Sequence, residues 1–262
     1  MKLKYRLIEK IFNLPFFVKK KNKNTFDVAL NKIDYSSNVK ELKGLKILFI
    51  SDIHVEITPT NINSILDQLV NLDYDFCFLG GDYFENPENL NISEFRSLFK
   101  HLLDSLNKAN TYAILGNHDN NNTEKFIEEN GIHTFTNTGK ILTYNNYDFF
   151  CYGIDYHNPN FEQSYAHSFD FSILLAHDPD TVFNLDVENH KFSFQFSGHT
   201  HNGQIQFPKG FIPRKNTSYG QLLLNGLWRA GKVDGVTSSG AGCSTIPIRY
   251  NTQSEILLIT FI

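Results

Sequence analysis

What this chain has least of is sulfur chemistry. Three cysteines, Cys77, Cys151 and Cys243, are spread over 262 residues with no C-x-x-C pair. An odd count at that spacing argues against a disulfide scaffold and a thiolate zinc site, and fits a reducing compartment. Cys77 lies inside an apolar run and reads as packing. Internal repeats and Pro/Gly/Ser-rich linkers are also missing after about residue 40, so nothing marks a second domain. The N-terminal stretch MKLKYRLIEKIFNLPFFVKKKNKN does not read as a secretory signal. Glu9 and Lys10 break its apolar residues, no small-residue cleavage site follows, and it is too interrupted to span a bilayer.

Positive charge is scarce outside that stretch. Residues 1–24 hold eight Lys/Arg against one acid, Glu9, about +7, so a chain of net charge −4 has a body of about −11. Such a body is poorly suited to gripping phosphate backbones, and no nucleic-acid partner is expected. The arm could meet an anionic surface. Wound as a helix, it puts Leu3, Leu7, Ile8, Ile11, Phe12 and Leu14 on one side. Lys2, Arg6, Glu9 and Lys10 lie opposite, Lys4 spoils the apolar face, and Lys19–Lys21 make a polybasic end. An interfacial helix on a membrane is one reading; a helix packed on the body, or a frayed tail, is the other. The expected division is a basic amphipathic arm over 1–40 and one domain over 41–262.

Apolar content of 41% and charged content of 20% suit a globular domain with a substantial core. Leu45–Ser51, Phe76–Gly81 and Thr111–Asn117 are continuous apolar runs, the mark of strands buried on both faces. Residues 61–71 and 91–108 carry helical spacing, with Asn61 and Ser93 as candidate caps. The second half predicts strands around 141–144, 147–154, 171–176, 192–197, 220–225, 233–238 and 255–262, and a short helix near 180–188. Alternating βα units followed by β-rich sequence predict an α/β fold of two packed mixed β-sheets flanked by helices.

Five of the predicted strands end in abrupt polar clusters: Asp52 and His54; Asp82; Asn117, His118 and Asp119; His177; His199 and His201. A solvated turn explains any one of them, but not easily all five. In open α/β sheets ligands bind at the carboxyl ends of strands. His199 and His201, two residues apart in SGHTHNGQ, would point the same way if they lay on a strand. Carboxylates, imidazoles and an amide without cysteine suit Mn²⁺, Fe or Zn²⁺ better than a structural zinc. Paired ions of this kind activate water for in-line attack on phosphorus.

In order, the motifs DIH, GD, GNHD, AH and GHTH resemble the calcineurin-like metallophosphoesterases, over about residues 47–203. The resemblance implies an αββα sandwich holding two divalent metal ions, Mn²⁺ first, with Fe, Zn²⁺ or Mg²⁺ as alternatives. It implies Asp52, His54, Asp82 and His201 on one ion and Asp82, Asn117, His177 and His199 on the other, with Asp82 bridging. Gly198 would let the backbone approach closely. A metal-bridging hydroxide would be the nucleophile. His118 would stabilise or protonate the leaving oxygen, and Asp119 would orient His118 or else cap the Asn-rich turn after it.

GDYFENP lacks the arginine of Ser/Thr protein phosphatases, and Glu85 stands where purple acid phosphatases have a metal-bound Tyr. The chain is more similar to the bacterial branch with GHTHGGQ, carrying Asn202 at one of its glycines. GQIQFPKGFIPR, GLWRAG and the Gly-rich stretch before IPIR extend that likeness. Proteins similar to this branch include general phosphodiesterases and UDP-2,3-diacylglucosamine pyrophosphatases of lipid A biosynthesis. The expectation is a phosphodiesterase or pyrophosphatase on a phosphodiester or diphosphate substrate, including a lipid-linked one. It would be cytoplasmic, or peripheral on the cytoplasmic membrane face through residues 1–24. The alternatives are a broad-specificity soluble phosphodiesterase and a catalytically silent metal-binding scaffold. Arg214, Arg229 and Arg249 are candidates for a second phosphate or else structural; Phe207, Phe211 and Trp228 would line an acyl groove or the core.

Overall fold

The computed structural model describes residues 25–161, 166–185 and 187–262; the amphipathic reading of residues 1–24 lies outside them. In chain order the described elements are β1 (Ala29–Tyr35), β2 (Lys46–Ile50), α1 (Asn61–Leu69), β3 (Phe76–Leu79), α2 (Ser93–Ser105), β4 (Thr111–Ala113), α3 (Asn121–Glu129) and β5 (His133–Thr134). They continue with β6 (Thr138–Tyr144), β7 (Tyr147–Gly153), β8 (Ser172–Leu175), α4 (Thr181–Asn184), β9 (Phe194–Ser197), β10 (Gly226–Ala230), β11 (Val233–Thr237) and β12 (Glu255–Phe261).

These strands make two six-stranded sheets, ordered β1-β12-β2-β3-β4-β5 and β10-β11-β9-β8-β7-β6. Both are mixed. Strands β2 to β5 are parallel, with β12 antiparallel to β2. Strands β7, β8, β9 and β11 are parallel, with β6 and β10 antiparallel at the edges. Two packed mixed sheets flanked by helices are the architecture expected from the sequence.

The period-two alternation of the strands builds the layers. Ile47, Phe49, Phe76 and Phe78 of the first sheet pack between the sheets with Phe149, Ile173, Leu175, Phe194 and Phe196 of the second. The alternate residues Leu48, Ile50, Cys77 and Leu79 face Ile62, Ile65, Phe99, Leu103 and Phe126 from α1 to α3. On the outer face of the second sheet, Phe150, Tyr152 and Leu174 pack with Val182, Leu223 and Trp228. Cys77 is packing, as its apolar run implied.

Several local expectations need correction. Residues 29–35, placed in the arm, form β1, which pairs in parallel with β12 along its whole length; the boundary at residue 40 cuts through a sheet. Residues 220–225 form turns rather than a strand, and the strand begins just after them, as Gly226–Ala230 antiparallel to β11. Asn61 does not cap α1. Its amide donates to the carbonyls of Thr25 and Ala241, fixing the helix start to the body. Ser93 is likewise the first residue of α2, after Ile92.

Candidate metal centre

Strands β2, β3, β4, β8 and β9 all deliver their following loops to one edge of the sandwich. A bond between the sheets fixes that edge: His177 Nδ1 lies 2.7 Å from the Gly80 carbonyl. A carbonyl only accepts, so Nδ1 carries the proton and Nε2 is left for another partner.

The residues singled out in the sequence gather here. Asp52, His54 and His201 form one group whose candidate donor atoms lie within 4.8 Å of one another, and Asp82, His177 and His199 form a second. Asp82 stands between them, with Oδ2 3.3 Å from His177 Nε2 and 3.7 Å from His54 Nε2. Its Oδ1 accepts from the His118 amide at 2.9 Å. His201 Nε2 is 3.4 Å from Asp52 Oδ1 and 3.2 Å from His54 Nε2.

His199 and His201 do not converge by strand alternation. Both lie beyond β9, at φ 68° and 51°, and turn to different groups. Asp52, His54 and Asp82 also have positive φ, at 53°, 41° and 56°. Left-handed backbone costs a non-glycine residue on the order of 1–3 kcal/mol, and such strain gathers at functional sites. Two glycines permit the close packing. A Cβ on Gly198 would overlap Asp52 Oδ2, and one on Gly116 would overlap Asp82 Oδ1.

The electrostatics follow from burial and crowding. Burial raises the Asp52 carboxyl, opposed by His177 and His54. Burial also works to raise Asp82, but the imidazoles of His177, His54 and His118 bring it well below the usual range. Burial alone would lower His177; Asp82 beside it lifts it to about 10. His199 falls to about 3 through burial and the neighbouring His177, and His201 falls well below its ordinary value through burial, His54 and Arg249.

These residues fit divalent metal ions. Asn117 Oδ1 is buried with no hydrogen-bond partner, a cost of roughly 1–3 kcal/mol if nothing else met it. Donor atoms about 2.1 Å from a shared ion sit about 3–3.5 Å from one another, the spacing of the His54, His201 and Asp52 atoms. Oxygen and imidazole donors without thiolate suit borderline-to-hard ions.

His118 lies beside the first group, its ring 5.3 Å from that of His54. Its Nδ1 donates to the Glu85 carbonyl at 2.7 Å. The expected role of Asp119 is corrected: it neither orients His118 nor caps the helix. Its Oδ2 accepts from the amides of Asp82, at 2.6 Å, and Gly116, at 2.9 Å, and its Oδ1 from Tyr83 at 3.1 Å. Burial and the charge of Asp82 outweigh the opposing pull of the three amides and leave it raised to about 7. Asn120 caps α3 instead, accepting from Asn122 and Thr123.

The three arginines separate. Arg249 is fully buried and donates to the carbonyls of His201, Ser239, Gly240 and Gly242, so it holds loops rather than substrate. Arg229 pairs with Asp234. Arg214 stays exposed at the rim, donates to Asn216, and its charge is felt at His199. Trp228 is core, Phe207 is partly buried, and Phe211 is 64% exposed. Sequence reasoning missed Tyr156, whose ring lies 5.9 Å from those of both His177 and His199; nothing around DYHNP marked it. It also passed over the Glu85 side chain, 3.3 Å from His54 Nδ1, and the Gln204 amide, which pairs with the backbone of Ser244.

The Calcineurin-like phosphoesterase profile matches residues 45–203, which spans all five clusters. An uncharacterized metallophosphoesterase of Bacillus subtilis (strain 168), YkoQ, is 27% identical over 92% of this chain and 93% of its own. A second from that organism, YkuE, is 27% identical over 83% and 79%. The phosphodiesterase YaeI of Escherichia coli (strain K12) is 27% identical over 83% and 82%. Among the described residues no helix is long and apolar enough to cross a membrane. With a matching profile over most of the chain and a site whose donors suit divalent ions, this chain belongs to the calcineurin-like phosphoesterase family and is a metal-dependent phosphoester hydrolase.

Proposed function

We propose that the chain hydrolyses phosphodiester or diphosphate bonds at a dinuclear centre. Asp52, His54, Asp82 and His201 would hold one ion, and Asp82, Asn117, His177 and His199 the other. The observation that carries this reading is the position of Asp82 between two buried donor groups. Bound there, divalent ions would polarise the phosphoryl oxygens and supply an activated water at neutral pH. The chain's own residues would do the rest. The strained loops hold the donors in place before substrate arrives. With Nδ1–H held by the Glu85 carbonyl, His118 would act as general acid in its doubly protonated form, giving the Nε2 proton to the leaving oxygen and keeping the one on Nδ1.

For the substrate we infer a lipid-linked nucleotide diphosphate such as UDP-2,3-diacylglucosamine, with Mn²⁺ as the first metal to try. The basic residues 1–24, read as amphipathic, support a substrate at an anionic membrane surface, and exposed Arg214, whose charge is felt at His199, supports a second phosphate. One observation favours a simpler diester. The cleft next to His177, about 240 Å³, is lined by Asp155, Tyr156 and Asp178 and by no Lys or Arg among the described residues. That lining suits an uncharged or cationic leaving group, and the name of the E. coli relative, a phosphodiesterase, agrees with it.

The test is hydrolysis of UDP-2,3-diacylglucosamine and of an aryl phosphodiester by the full chain with Mn²⁺, with Asp82→Ala as control. Turnover of the lipid-linked substrate that the variant loses supports the first reading. Turnover of the aryl diester alone supports the second. Near wild-type rates in Asp82→Ala would overturn the metal-centre assignment.

A further inference from the structure

Glu85 occupies the loop three residues beyond Asp82, and it meets two imidazoles at once. Its carbonyl accepts from His118 Nδ1 at 2.7 Å. Its carboxylate Oε2 lies 3.3 Å from Nδ1 of His54, a fully buried ring. Each of these two atoms is buried and has no other hydrogen-bond partner. They are complementary, a carboxylate acceptor and an imidazole N–H, so a small rotation of either group makes the bond. With the proton held on Nδ1, His54 presents an unprotonated Nε2 to Asp52 and His201.

The carboxylate is itself held from the far side. Oε1 accepts from Thr245 Oγ1 at 3.2 Å. Thr245 is β-branched yet sits at φ 68°, a conformation such residues rarely adopt. The Gln204 side chain fastens that strained turn: its Oε1 accepts from the Ser244 amide at 2.9 Å, and its Nε2 donates to the carbonyls of Ser244 and Ile246 at 3.1 and 3.2 Å. A connected path therefore runs from the Gln of GHTHNGQ through Thr245 and Glu85 to His54.

We propose that Glu85 is a positioning residue: its carboxylate orients His54 toward the first ion while its carbonyl orients His118. The inference rests on the metal-centre reading. Carboxylates behind metal-bound histidines are worth about 10- to 100-fold in metal affinity.

The experiment is calorimetric titration of Mn²⁺ into the chelator-treated full chain, comparing wild type, Glu85→Ala and Glu85→Gln, with thermal melts of each metal-free protein. The expected result is one ion weakened about 10- to 100-fold in Glu85→Ala, with the other ion and the metal-free melt unchanged. Glu85→Gln, whose amide oxygen still accepts from Nδ1–H, should stay within about threefold of wild type. Thr245→Ala, which frees Oε1 without touching His54, should give a smaller loss at the same ion. Two ions bound by Glu85→Ala as tightly as by wild type would overturn the proposal. So would a Glu85→Gln defect as large as that of Glu85→Ala, since the carboxylate would then act as a ligand. A wild-type protein that binds no pair of ions would instead sink the metal-centre reading beneath it.

Discussion

The Nδ1 proton of His177, at the end of a strand in one sheet, is donated to the carbonyl of Gly80, at the end of a strand in the other, over 2.7 Å. The bond ties the two sheets at the edge where the donor groups meet. It also leaves Nε2, next to Asp82, as the atom for which a proton and a metal ion compete.

That competition gives a pH dependence. With Asp82 lifting His177 to about 10 in the metal-free chain, Nε2 is protonated at neutral pH, and binding an ion must release that proton. Affinity should therefore rise with pH, about tenfold per unit between pH 6 and 8 for a single proton. Calorimetry in buffers of different ionisation enthalpy counts the protons released; a count of zero would contradict the prediction.

His118→Ala should keep both ions and lose rate by about 10²–10⁴, the usual contribution of a general acid. Metal content after dialysis and kcat at saturating metal separate the two effects. Loss of an ion would reassign His118 from proton donor to ligand.

Asp119→Asn should behave as a structural change. One oxygen becomes an N–H facing backbone donors, whereas both carboxylate oxygens now accept from Asp82, Tyr83 and Gly116. A cost of about 1–3 kcal/mol is expected, read as a lower Tm of the metal-free protein. An unchanged Tm with a lower rate would return Asp119 to a direct part in catalysis.

Arg249→Met removes the donor shared by the buried carbonyls of His201, Ser239, Gly240 and Gly242. At least about 2 kcal/mol of stability should be lost, since several buried acceptors are orphaned together. Denaturant unfolding measures this; a variant as stable as wild type would mean that the loops close without it.

The polar clusters were legible because each follows a short apolar run of the kind that forms a buried strand, as Leu45–Ser51 precedes Asp52 and His54. Edge and cap positions were not. Strand β1, ALNKIDY, is polar and half-buried, so only its pairing with β12 makes it a strand. The run QLLLN suggested a strand at 220–225, but Leu222 is exposed, and the pairing with β11 selects Gly226–Ala230 instead. The Asn-rich segment after Asp119 looked like a turn; Asn120 caps it, and Phe126 and Ile127 bury one face, so it is a helix.

By itself the sequence determined which candidate donor residues the chain carries and that they fall at strand ends, because apolar runs and side-chain chemistry are local properties. Only the tertiary structure decided how they are shared out. Asp82 stands between two groups, His199 and His201 part company, Asp119 serves the backbone, Arg249 is buried, and Glu85 comes up behind His54. Each of these depends on contacts between loops from different strands, and on left-handed backbone that packing of the two sheets enforces against local preference.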